Sequence, residues 1–271
     1  MANGPTRRHL LTLAGTALIG APVIAHAEED KAARAARWKE LSRALLGNRP
    51  IADGSGLIAI DAPYRAIDAA LVPVGLTLKP PQVQALWFVI DNNPGPLAAH
   101  FAFGPKADPR KLRLRVRVDQ YTDMHAVVQM PDGKLYAAAK YIKASGGCSA
   151  PAGGDDASAL ADIGRMKLHL LDGFVPGRPV EAKLMIRHPN FNGMQMNQLT
   201  RLYTPARYIK TVDVTYNGGL VFHLDADISL SSDPAITFGF VPAARGTMVV
   251  AAKDSSGVTF DHSFDLPPAR A

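Results

Sequence analysis

The chain has 271 residues, with 30 lysines and arginines against 24 aspartates and glutamates, a net charge of +6. The basic excess is spread along the sequence and forms no dense Lys/Arg block with interleaved aromatics, which argues against a nucleic-acid partner. A single cysteine excludes an internal disulfide, and the length suits two domains of about 110 residues, each able to bury its own core.

Residues 1–27 read as a targeting leader. Arg7 and Arg8 form a twin arginine ahead of an apolar run from Leu10 to Ile24, and Ala25-His26-Ala27 is a small-x-small cleavage site. The pair points to the twin-arginine export route and a periplasmic mature protein. The run is too short, and too interrupted by Gly15, Gly20 and Pro22, to span a membrane. Without Arg7 and Arg8, 28 basic residues face 24 acidic ones, leaving about +4 after cleavage.

The first half of the mature chain, 28–143, opens with an alanine-rich helix over Glu28–Leu46, in which Trp38, Leu41 and Leu45 recur at helical spacing; Gly47-Asn48-Arg49-Pro50 stops it. Strands follow over Gly56–Ile60, Ala69–Leu78, Val83–Ile90 and Ala98–Phe103, with Pro73 marking an edge or bulge in the second. The segment Leu112–Val118 alternates cleanly. Leu112, Leu114, Val116 and Val118 face a core and Arg113, Arg115 and Arg117 face out, either as a solvated strand face or as an anionic docking stripe. Met124–Met130, the turn at Pro131-Asp132-Gly133 and Leu135–Ile142 complete a hairpin.

Residues 144–162 read as a tether. Gly146 and Gly147 precede Cys148, and Ser149, Ala150, Pro151, Gly153 and Gly154 follow it. Glycine backbones move freely, so the thiol is expected on a flexible arm between two strand-rich halves. A free thiol in an oxidising compartment is a liability unless it is used.

The second half, 163–271, resumes with strands over Met166–Leu171 and Pro179–Ile186, a long loop from Arg187 to Arg207, and a hairpin of Tyr208–Tyr216 and Leu220–Leu224 around Asn217-Gly218. Strands at Ala235–Phe240, Thr247–Lys253 and Val258–Phe264 close the chain. Short strands between Pro/Gly turns with almost no helix predict an all-β protein of two immunoglobulin-like sandwiches.

Catalytic motifs are thin: no G-x-S-x-G, H-E-x-x-H, C-x-x-C or phosphate-cradling glycine loop is present. Histidines 100, 125, 169, 223 and 262 stand singly on or near strands and read as surface or core residues. One metal reading is available: His188, Met194 and Met196, with Met185 nearby, are soft ligands of the kind that hold Cu(I). Methionines in a loop also serve simply as contact residues.

The chain resembles the sulfur-oxidation carrier proteins SoxY and SoxZ, fused in that order. Asp61-Ala-Pro-Tyr64, the Leu112–Val118 strand with Ala126–Tyr136, and Ile142-Lys-Ala-Ser-Gly-Gly-Cys148 are similar to SoxY; the last matches its Gly-Gly-Cys-Gly-Gly ending up to the cysteine, after which Ser149 and Ala150 replace the glycines. Ile186-Arg-His-Pro189, the hairpin at Asn217-Gly218, Ser232–Phe240 and Asp254-Ser-Ser-Gly257 resemble SoxZ. The resemblance implies a pair of immunoglobulin-like domains packed together and a periplasmic carrier without turnover of its own. It implies Cys148 as the covalent attachment point for sulfur intermediates, Gly146 and Gly147 as its hinge, no cofactor beyond that adduct, and c-type cytochromes or a quinoprotein dehydrogenase system as partners. It also leaves a scaffold role for such a dehydrogenase, and Cu(I) handling, as alternatives. Unlike the family's arm, which ends near its cysteine, this chain continues into a second half, so a loop rather than a free end carries the thiol.

Overall fold

The computed structural model describes Met1 and residues 30–150, 160–197 and 200–267. The expected leader (apart from Met1) and the middle of the expected tether, 151–159, lie outside the described residues. The helix α1 covers Lys31–Leu46, ending where Gly47 adopts φ 72° and donates its N–H to Arg43 O. It lies on the outside of the molecule, where Trp38, Leu45 and Leu46 pack with Trp87, Val127 and Leu135.

The first half supplies β1 (Ile51–Asp53), β2 (Ile58–Asp61), β3 (Val72–Leu78), β4 (Ala85–Ile90), β5 (Leu97–Phe103), β6 (Ala107–Val116), β7 (Thr122–Gln129) and β8 (Leu135–Ile142). The second supplies β9 (Met166–Leu170), β10 (Val180–Ile186), β11 (Ile209–Tyr216), β12 (Gly219–Ala226), β13 (Ala235–Phe240), β14 (Gly246–Asp254) and β15 (Thr259–Leu266). The all-β, immunoglobulin-like reading holds, with a short N-terminal helix among the described residues. The strand that sequence patterning misses is β1, whose three residues are too few to show alternation and which pairs in parallel with β8.

The two halves are joined edge to edge. One sheet of nine strands runs β1-β8-β7-β4-β5-β12-β11-β14-β15, and the facing sheet of six runs β2-β3-β6-β13-β10-β9. Both sheets cross the boundary between halves, through the antiparallel pairs β5–β12, Ala99 opposite Ala226, and β6–β13, Arg113 opposite Thr237. Alternation along each strand sends one set of side chains into a single core that both halves share. Across the seam Phe101 meets Phe222 edge-on with ring centroids 5.4 Å apart, and Phe222 meets Phe238 at 5.0 Å. Each of these rings is buried, a contribution of about 1.5–3 kcal/mol apiece. Pro73 is accommodated because β2 pairs with residues 75–78 of β3 and no further.

The alternation of β6 holds through Leu112, Leu114 and Val116, with Arg113 and Arg115 facing out. Arg117 departs from it and is only 2% exposed. The strand has ended by then, and the segment Ile228–Leu230 of the second half lies over this side chain: Arg117 donates Nη1–H to Leu230 O at 2.7 Å and its backbone N–H to Ser229 O at 2.8 Å.

Candidate functional site

Cys148 is reached from β8. Past Ile142 the chain runs beside residues 64–66, Lys143 donating its N–H to Tyr64 O and accepting one from Ala66. It then turns at Gly146, whose φ of 77° is the left-handed conformation glycine adopts without strain. Gly146 N–H bonds to Asp119 O, Gly147 N–H to Val118 O and Ala150 N–H back to Gly146 O. The expected free hinge is therefore a docked turn as far as Ala150. Gly147 is glycine for want of space: a Cβ there would stand 2.1 Å from Ala69 O and 2.7 Å from Val118 O.

The second half closes over this turn. Asn192 donates Nδ2–H to Cys148 O at 2.7 Å, and Gln195 donates Nε2–H to Ala150 O at 3.2 Å. Cys148 is left 1% exposed. Burial, with the Asp119 carboxylate adding to it and the Arg117 guanidinium opposing, pushes its thiol up to about 12. Burial in turn lowers Arg117 to about 10, partly offset by Cys148. At neutral pH the docked cysteine is a protonated thiol, the unreactive form, because nucleophilic attack and metal binding require the thiolate.

Arg117 and Cys148 share a polar hub on the seam. Asn93 Nδ2 donates to Arg117 O and to Ser229 Oγ, while Asn93 Oδ1 accepts from the Asp119 N–H at 2.9 Å. The side chains that fix the cysteine turn therefore come from both halves. Sequence reasoning singles out none of Asn93, Asn192 or Gln195, and it points Arg117 outward. A signal for the two loop amides is present in the run Asn190-Phe-Asn-Gly-Met-Gln195, since side-chain amides are suited to satisfying carbonyls of irregular backbone.

That same loop carries the copper reading, and the structure gives it another employment. His188 is fully buried; its Nδ1 accepts the Asn190 N–H at 3.1 Å, which places the ring proton of the neutral form on Nε2, 3.7 Å from Asp254 Oδ2. Burial lowers its pKa despite the nearby Asp254 carboxylate. Asn190, in the left-handed region at φ 45°, donates to Leu230 O and Ser231 O and accepts from Ile209 N–H. His188 thus belongs to the base of the loop. Met194 donates its N–H to Asn192 Oδ1, which orients the amide that reaches Cys148, and Met196 forms a bridge with Tyr203. Among the described residues no group of three or more His, Cys, Asp or Glu is arranged to hold a metal ion.

Two of the single histidines sit in a chain on the outer face of the large sheet: His100 Nδ1 meets Asp225 Oδ2 at 3.1 Å, and His223 lies between Asp213 at 2.7 Å and Asp225 at 3.2 Å. His125 is stacked on Trp38, with ring centroids 3.7 Å apart, and its Nδ1 meets Asp91 Oδ1 at 3.0 Å. Burial lifts the Asp91 carboxyl above its ordinary range against that hydrogen bond. Neither group contacts the cysteine turn; the first ties β5, β12 and β11 together and the second anchors α1.

Comparison with known families matches residues 42–148 to sulfur oxidation protein SoxY and residues 173–265 to sulphur oxidation protein SoxZ. The first match ends on Cys148. A similar solved structure is that of the sulfur carrier protein SoxY from Chlorobium limicola f thiosulfatophilum, 32% identical over 42% of this chain and 96% of that one, with a TM-score of 0.37. Others are a superoxide reductase (neelaredoxin) from Ignicoccus hospitalis, 15% identical over 32% of this chain and 78% of that one at a TM-score of 0.29, and a beta-glycosidase from Bacteroides vulgatus, 8% identical over 77% and 24% at 0.24. No curated protein matches the chain.

Proposed function

Since the chain belongs to the SoxY and SoxZ families of sulfur-oxidation proteins, joined in one polypeptide, we propose that it carries sulfur intermediates covalently on Cys148 and presents them to redox enzymes of the periplasm. The observation that carries this reading is the placement of the one cysteine: it ends the SoxY match on a glycine turn and is clasped by side chains of the SoxZ half. The thiol has two states in this reading. Docked, it is protonated and sheltered. Released, it regains a pKa near the ordinary thiol value of 9.0 and supplies thiolate. Joining it to a thiosulfate dianion forms the S–S bond with loss of one proton and two electrons, and a c-type cytochrome partner would accept those electrons. In this reading the oxidation belongs to the partner and the chain is the carrier. The leader's twin arginine supports export to the periplasm, and a quinoprotein dehydrogenase system is the other partner class to be tried.

The test is the intact mass of protein purified from the periplasm without reductant, before and after reduction. A reducible increment on Cys148, absent from Cys148→Ser, is the expected result, and its size identifies the cargo. The burial of the thiol favours one second reading, a noncovalent scaffold with an inert cysteine. That reading predicts a bare thiol in the same measurement and a Cys148→Ser variant with full physiological activity.

A further inference from the structure

The outer face of the six-stranded sheet concentrates positive charge. Strand β6 presents Arg110, Lys111, Arg113 and Arg115 there, β10 presents Lys183 and β9 presents Lys167, while the carboxylates on the same strands are Asp61, Glu181 and Asp108, the last held by Arg110 at 2.7 Å, with Asp172 at the edge beside Glu181. Glu181 is shared by Lys111 at 2.7 Å and Arg113 at 3.1 Å. Burial would lift its carboxyl, yet these two cations hold it below the ordinary value. Arg115 is bonded to the Asp233 backbone carbonyl at 2.8 Å, and no described carboxylate pairs with Lys167 or Lys183. Six cations against three carboxylates on these strands leave the face with about three unbalanced positive charges.

A trough of about 450 Å³ crosses this face. Gly75, Ala235 and Thr237 form its floor, small residues on β3 and β13, and Arg113, Arg115 and Lys183 stand around it, with Asp61 the one carboxylate in the lining. Because β6 comes from one half and β13 from the other, the trough exists only where the two halves are joined. On the outer face of the large sheet, by contrast, Asp213, Asp225, Asp261 and Asp265 lie together at the end formed by β11, β12, β14 and β15.

We infer that this basic trough is a docking surface for a partner protein that presents a carboxylate-rich segment. Adjacent strands are about 4.8 Å apart, so the cations between β6 and β9 extend over about 14 Å. A small anion would meet one or two of them, whereas an extended acidic segment meets them all and lies over the small residues of the floor. Contacts of this sort set association rate and orientation and weaken with salt. The trough lies on the seam apart from Cys148, and the inference stands or falls independently of what that cysteine carries.

The probe is a fluorescein-labelled oligoglutamate peptide titrated into the full chain and followed by anisotropy. Binding should weaken about tenfold or more in Arg113→Glu/Lys183→Glu and as sodium chloride rises through the physiological range, while Cys148→Ser and Lys253→Glu, on the far face, bind as the parent does. If the double variant loses its folded melting profile, Lys183→Gln, which removes a charge without a described carboxylate partner, should still weaken binding severalfold. Binding indifferent to these changes overturns the inference. So does displacement of the peptide by sulfate beyond what chloride of equal ionic strength achieves, which would make the trough a small-anion site. So does low-salt self-association that disappears in the variants, which would make the partner a second copy of this chain.

Discussion

At Cys148 the determining quantity is the cost of leaving the docked turn. A thiol whose pKa is raised to about 12 in the docked state, against the ordinary 9.0, favours docking fully below pH 9 and loses that preference as pH climbs toward 12. Alkylation by iodoacetamide should therefore keep rising beyond pH 9 in the native protein, whereas the same cysteine in urea should level off there. Asn192→Ala leaves the Cys148 carbonyl without its donor. A loss of about 1–2 kcal/mol should speed alkylation at pH 7.5 roughly five- to thirtyfold, read against an unchanged rate in the unfolded chain. Gly147→Ala should do more, because its methyl group collides with two backbone carbonyls and not with a flexible side chain. The glycines before the cysteine were visible in the sequence, but their meaning was not. Absence of a side chain says that backbone can bend or that something else fills the space, and only the approach of Ala69 and Val118 decides for the second at Gly147. Arg117 shows the same limit. Alternation points it outward, and a segment more than a hundred residues later covers it.

Among the elements, the strands themselves were legible because one face is buried and the side-chain period of two is then imposed on the sequence, as in Val180–Ile186 and Leu112–Val116. Which strands become neighbours was not. The partners across β5–β12 and β6–β13 are set by complementary edges far apart in the chain, and no local pattern encodes them. The seam gives two expectations. Phe222→Ala removes a ring that packs on both Phe101 and Phe238, and should cost about 3–5 kcal/mol in urea unfolding. The chain of His100, Asp225, His223 and Asp213 adds a pH dependence. Burial works against the charged imidazole, but hydrogen bonds to Asp213 and Asp225 prevail and raise the His223 pKa above 6.5. A raised value stabilises the fold below pH 6.5 and ceases to do so as pH passes the folded value. The melting-temperature gap between parent and His223→Gln should accordingly be widest near pH 5.5 and narrow by pH 8.

For the whole molecule, two sheets that continue through the boundary make one cooperative unit. Calorimetry should show a single transition; two separable ones would mean that the halves fold alone. Expressed apart, a piece ending at residue 150 and a piece starting at residue 160 would expose the edges of β5, β6, β12 and β13, unpaired rows of backbone donors and acceptors that invite association. Mixing the pieces should restore solubility if the seam is as complementary as its registers indicate.

Joining the halves in one polypeptide also changes the order of the reaction that builds the site. Asn192 and Gln195 reach the cysteine turn from the far half, so the clasp on Cys148 needs both halves present. With two chains that encounter would be second order, and dilution would strip the cysteine of its cover. With one chain it is first order, set by an effective concentration that dilution does not alter. Every intact molecule carries its own cover for the cysteine, in a ratio of one to one, and the fraction of sheltered thiol is the same in a crowded compartment as in a dilute one.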